Sequence, residues 1–219
     1  MIPDYEKAAT IAAETLIKYQ IGTAPVSPMH MLKNTPGVQV LTFEEMSRCV
    51  DMNRRDFINL FGDSNQDALT TMFLDGDQRR YLVLYNRQLP SVIVDRAIAM
   101  ELGHILLGHD CSRPEDVRNE EAKAFALHLM CPRALIHSLR ASGIRLTVDA
   151  LASITGCYHS CLTRMRSLPP IHIPAELNRA VRDLFRPYIL SYFEFRRYAS
   201  ITDGSELADF GSYMEGYEE

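Results

Sequence analysis

The chain is poor in several features that would have pointed to other classes of protein. Its 219 residues hold five Cys and no Cys-x-x-Cys pair. In a chain this long that argues against a disulfide framework and for cytosolic thiols. Positive charge is short as well: 23 Lys and Arg against 28 Asp and Glu leave a net charge of −5. No broad basic surface therefore argues for nucleic acid. No apolar run approaches the roughly 20 residues needed to cross a bilayer. The opening Met1-Ile2-Pro3-Asp4-Tyr5 has neither the basic nor the apolar region of a secretory signal. Internal repeats are lacking too. The expectation is a cytoplasmic protein, partnered neither by membrane nor by nucleic acid. With 47% hydrophobic residues it can bury the core of one large domain, or of a domain with a small appendage.

The chain alternates helical and strand signals. Residues 4–20 place Ala8, Ile11, Ala12, Leu16 and Tyr19 on one helical face. Val38 to Thr42 reads as a short strand after the Pro36-Gly37 turn, and Phe43 to about Phe61 as a weakly patterned helix. Thr70–Leu74 and Arg80–Tyr85 flank Asp75-Gly76-Asp77, which is a hairpin signal. An apolar helix is expected from about Val92 to Leu107, stopped by Gly108. Ser112-Arg113-Pro114-Glu115 has capping-box spacing, so the next helix should run from there to Cys131, before Pro132. A short helix to about Gly143, one capped by Thr147 and broken at Gly156, and one from Cys157 to about Leu168 follow. Pro169-Pro170 reads as a linker, and 174–197 as helix interrupted at Pro187.

What the sequence does contain centres on Met100-Glu101-Leu102-Gly103-His104, followed by Ile105-Leu106-Leu107-Gly108-His109. In the zincin signature His-Glu-x-x-His, two imidazoles at i and i+4 hold Zn²⁺ and the Glu between them polarises the metal-bound water. Glu101 and His104 fit that pattern, but Met100 stands where the first His belongs. A thioether is a soft, neutral ligand suited to copper(I) rather than zinc. The absent imidazole would have supplied both binding energy and geometry. Two readings follow. Either Glu101 is a general base beside the metal ligand His104, or the two form a buried polar pair.

Three blocks in order carry a family resemblance. They are Tyr81 to Asn86, Arg96 to His109, and Glu121-Ala122-Lys123-Ala124-Phe125-Ala126-Leu127-His128-Leu129-Met130-Cys131-Pro132. Together they resemble the ImmA/IrrE family of zinc metallo-endopeptidases. Pro25-Val26-Ser27-Pro28 is similar to that family's Pro-Val-Asp-Pro element, and Leu151 through Leu168 to the small helical region that often follows its peptidase core. The resemblance implies an α+β, zincin-like domain with a small sheet beside the active-site helix. It also implies site-specific cleavage of a helix-turn-helix repressor in mobile-element or stress control. Zinc is the cofactor it implies. Glu101 then corresponds to the catalytic residue and His104 to a metal ligand, with Glu121 or Glu120 supplying a carboxylate ligand through a small shift in register. The family's third ligand aligns at Asn119, just before Glu120 and Glu121, so Met100 and Asn119 are two substituted ligand positions. The alternative is a catalytically inactive member that binds a repressor or other protein partner without cleaving it.

Other chemistry-bearing residues have plainer readings. His109 and Asp110 could complete an alternative metal site with His104, but the spacing is five rather than six and Gly108 ends the helix first, so they read as an exposed helix terminus. His128 could share a face with Glu121 but is expected at the domain surface. Cys157 and Cys161, with Cys111 and Cys131, could form a four-Cys zinc site, but without a Cys-x-x-Cys pair they read as free thiols. The helices around Ala152 and Gly156 offer only Arg164 and Arg166 as bases, too little charge for DNA reading. The domain boundaries expected are 1–143 for the peptidase-like domain, 144–199 for a helical region and 200–219 for an acidic, disordered tail. That tail carries Phe210, Tyr213, Met214 and Tyr217 among its acids.

Overall fold

Alanines and a leucine spaced one turn apart set the first helix. In α1 (Tyr5–Lys18), Ala8, Ala9, Ala12, Ala13 and Leu16 are all buried. The computed structural model describes residues 2–60, 67–142 and 146–201. The chain forms two compact units, Met1–Ala8 with Ser27–Ala126, and Ala9–Val26 with Leu127–Glu219.

The first unit is built on a three-stranded sheet of order β1-β3-β2, with β1 Val38–Thr42, β2 Ala68–Asp75 and β3 Gln78–Tyr85. β2 and β3 form the expected antiparallel hairpin, with Asp75 opposite Gln78, and β1 runs parallel to β3 with Val40 opposite Val83. A parallel pair needs a crossover. Here it carries α3 (Phe43–Cys49) and α4 (Arg54–Leu60). Phe43, Phe57 and Leu84 form the core between these helices and the sheet. The single helix expected over 43–61 is two. The chain turns at Asp51, whose φ is +52°, and Met52 N–H donates to the Ser47 carbonyl. Asn53 then accepts from Asp56 N–H at 2.9 Å, a side-chain cap for α4. Residue 61 lies outside the described residues. Thr42 and Glu45 build a complete capping box for α3.

α2 (Pro28–Lys33) and the long helix α5 (Ser91–Leu106) pack together, and α5 also lies on β2 and β3. α5 buries Ala97, Ile98, Leu102 and Ile105, the spacing of one helical stripe. α6 (Glu115–Met130) meets α5 closely: a Cβ at Gly103 would lie 2.9 Å from the Phe125 ring, so only glycine fits there without displacing the ring. Its expected capping box at Ser112 does not form. Ser112 turns back to Asp110, donating from both its N–H (2.9 Å) and its hydroxyl, and α6 begins at Glu115.

The second unit is helical: α7 (Arg133–Ala141), α8 (Val148–Thr155), α9 (His159–Ser167) and α10 (Ala175–Ile201). Thr147 accepts from Ala150 N–H, and Gly156 ends α8 as expected. α10 does not stop at Pro187. A proline inside a helix costs roughly 3 kcal/mol. Val181, Phe185, Tyr188, Ile189 and Tyr192 are buried on both sides of it, which outweighs that local loss. The acidic tail lies outside the described residues from residue 202 onward. The architecture is α+β, a small sheet with its helices and a helical region beside it in sequence, in keeping with a zincin-like domain. Among the described residues, no helix is long and apolar enough to cross a membrane.

Candidate functional site

The end of α5 decides the site. Gly108 takes φ +70°, a left-handed conformation that costs other residues more, and His109 N–H closes back on the His104 carbonyl. This turn folds the His109 ring under the helix end rather than out to solvent. Its side chain is only 2% exposed, which corrects the exposed-terminus expectation. The His109 ring lies between two polar groups. Its Nδ1 is 2.9 Å from His104 Nδ1, and its Nε2 is 2.9 Å from Glu121 Oε2 on α6. The two imidazoles meet edge to face, centroids 5.0 Å apart.

The Glu121 side chain is 1% exposed and engaged at both oxygens. Oε1 accepts from Asp4 N–H at 2.8 Å, and Oε2 accepts from Arg113 Nη1 at 2.8 Å as well as meeting His109. The neighbouring Glu120 pairs with Lys123 at 3.2 Å. Asn119 is half-buried and makes no hydrogen bond to His104, His109 or Glu121.

Burial first, and then the charges of His109 and Arg118, push the His104 pKa down to about 4. Burial lowers His109 as well; Glu121 opposes that shift, and Arg113 and Arg118 add to it. Both rings are therefore neutral near pH 7, and the hydrogen-bond network assigns their tautomers. Glu121 only accepts, so His109 Nε2 carries the proton and donates. His109 Nδ1 then accepts, and His104 Nδ1 donates to it. The single negative charge of Glu121 is matched by Arg113.

Glu101 stands apart from this chain. Burial raises its carboxyl to about 7, and the neighbouring Thr70 hydroxyl on β2 draws it part of the way back without closing a hydrogen bond. Glu101 and His104 do not hydrogen-bond, so the buried-pair reading does not describe them. His128, expected at the surface, is 2% exposed in the second unit, with neither ring nitrogen hydrogen-bonded. The five cysteines are free; Cys131 and Cys157 are buried, and burial raises both thiols, Cys157 to about 11.

A catalytic zinc takes three protein ligands and a structural one four. His104 donates its Nδ1–H to His109 and keeps its Nε2 lone pair, but both Glu121 oxygens are engaged. The guanidinium of Arg113 lies against the carboxylate, and the charge of Arg118 also reaches the two histidines. Among the described residues, no group of three or more His, Cys, Asp or Glu is arranged to hold a metal ion. The arrangement does not fit a zinc centre. It is a neutral imidazole bridge between His104 and Glu121. The sequence offers His109 only as a possible metal partner of His104; its bridge to Glu121 depends on a backbone turn at Gly108 and on a partner twelve residues away.

Residues 52–155 match a peptidase family model, the IrrE N-terminal-like domain. The match spans all of α5, α6, α7 and α8 and both hairpin strands, and so contains His104, His109 and Glu121. No curated protein and no solved structure matches the chain.

Proposed function

We propose, taking as premise that residues 52–155 place this chain in the ImmA/IrrE family, that it is a non-catalytic member which binds a protein partner without cleaving it. One observation carries the reading: Asp4, Arg113 and the His109 ring hold both oxygens of Glu121, so that this carboxylate is not free to join His104 on a metal. Met100, at the first ligand position, adds no imidazole. The partner that the family resemblance suggests is a helix-turn-helix repressor, bound in the cytoplasm and sequestered rather than destroyed.

A second reading rests on Glu101. A carboxyl with a pKa of about 7 is suited to proton transfer near neutral pH. Under that reading the chain remains a divergent metallo-endopeptidase, with Glu101 as catalytic residue and His104 and Glu121 drawn onto zinc.

Metal analysis by mass spectrometry separates the two. Untagged protein purified without chelators should carry no stoichiometric zinc. The double variant Met100→His, His109→Ala removes the bridging ring and restores the two-histidine spacing, and should gain zinc. One zinc per wild-type chain, lost on His104→Ala, would overturn the binding-only reading. Cleavage of a repressor by wild type but not by Glu101→Gln would do the same.

A further inference from the structure

The strongest surface feature outside the site lies in the second unit. Arg133, His137 and Arg140 of α7 line a cavity of about 230 Å³, whose apolar floor includes Ile136, Leu151 and Leu162. Positions 133, 137 and 140 fall one turn apart on a single helical face. His137 and Arg140 are exposed and Arg133 is partly so. Among the described residues, neither Arg133 nor Arg140 forms an ion pair. Such guanidinium groups beside apolar surface suit a ligand that brings carboxylates and hydrophobic side chains together. The volume is below the roughly 300–1,000 Å³ of small-molecule sites, so it suits one or two side chains of a peptide better.

This chain contains such a peptide. Residues 202–219 hold Asp203, Glu206, Asp209, Glu215, Glu218 and Glu219 with no Lys or Arg. Leu207, Phe210, Met214 and Tyr217 stand among these acids. Reach is sufficient. Arg133 and Ala134 of α7 meet Asn178 and Val181 of α10 around one small cavity, so the groove lies near the start of α10. From Val181 to the helix end at Ile201 the rise is about 30 Å. An extended chain covers ~40 Å by Tyr213 and ~50 Å by Tyr217.

We propose that the acidic segment 203–219 docks in cis on this basic groove, its carboxylates on Arg133 and Arg140 and its apolar residues on the floor. The segment then shields the groove, and an acidic, hydrophobic segment of another protein would have to displace it.

The chain has no tryptophan, so Tyr213→Trp gives the full-length protein a single emission reporter. Docking gives a blue-shifted maximum, independent of protein concentration. Arg133→Glu with Arg140→Glu should shift it to the red, as should 1 M salt, where the screening length falls to about 3 Å. Asp209→Lys with Glu215→Lys alters no groove residue and should shift it likewise. Combining both pairs should restore the blue shift, a rescue that a misfolded variant would not give. Solvent-like emission in the starting protein, or blue emission unmoved by either charge reversal, would overturn the proposal. A blue shift that grows with concentration would place the segment on a second copy instead, and overturn docking in cis.

Discussion

Replacing Glu121 by Gln tests the polar bridge with the least change of shape. The carboxylate accepts from Asp4 N–H and Arg113 Nη1 at 2.8 Å and from His109 Nε2 at 2.9 Å, at a position 1% exposed. An amide keeps one acceptor oxygen and turns the other atom into a donor. If the oxygen stays on Asp4 N–H, the amide NH₂ faces Arg113 and His109. The histidine chain can adapt, because His109 and His104 can exchange tautomers and run their hydrogen bonds the other way. Arg113 cannot, since a guanidinium has no acceptor. Breaking a buried pair costs about 3–5 kcal/mol, but Arg113 is 29% exposed and recovers part of its loss from water. The expected destabilisation is about 2–3 kcal/mol. With a urea slope of roughly 1–3 kcal/mol/M, the unfolding midpoint should fall by about 1 M. As control, Asp75→Asn breaks an exposed pair with Arg80 and should cost less than about 0.5 kcal/mol. A Glu121→Gln midpoint indistinguishable from the control would refute the claim that this carboxylate anchors the end of α5 to α6. A double-mutant cycle with His109→Ala should return a coupling energy within about 0.5–3 kcal/mol, and zero coupling would mean the bridge contributes nothing.

Two further predictions concern packing and pH. Gly103→Ala would gain about 1 kcal/mol in an unpacked helix. Here its Cβ would come within 2.9 Å of the fully buried Phe125 ring, an overpacking that costs about 1–3 kcal/mol, so thermal denaturation should show no gain and a net loss near 1 kcal/mol. A more stable variant would mean that the ring moves freely. His128 is buried among apolar groups, its pKa pushed down to about 4 by desolvation first and by Arg133 second. The unfolded chain takes up a proton near pH 6.5 and the folded chain does not, so stability falls as pH drops from about 6.5 towards 4, by up to ~3 kcal/mol. His128→Leu should flatten that part of the stability–pH curve of the second unit. Parallel curves for wild type and variant would place the acid sensitivity elsewhere.

Local order was legible in the sequence wherever a neighbour within a few residues settles the conformation. The hairpin followed from Asp75-Gly76-Asp77 between two β-rich runs, α5 from its apolar spacing and Gly108, and α8 from Thr147 and Gly156. The family blocks located α5 and α6, and with them Glu101, His104 and Glu121. Glu121 was named beside Glu120 as a carboxylate for a metal; its engagement by Asp4, His109 and Arg113 was not visible. Other features fell to tertiary forces. Burial of aromatic and aliphatic side chains on both sides of Pro187 carries α10 through a residue that locally breaks helices. Asp51 in the left-handed region splits the helix expected over 43–61.

The sequence by itself determined that a peptidase-like α+β unit would present a helix with Glu101, His104 and no first histidine. Only the tertiary structure decided what fills the space beside His104. A left-handed turn at Gly108 brings back a histidine that sequence spacing puts beyond the helix, and α6 holds a buried carboxylate to receive it. Spacing along a chain fixes which side chains share a helical face, but a hydrogen bond between the end of one helix and the middle of the next depends on how the two pack, and no local rule contains that.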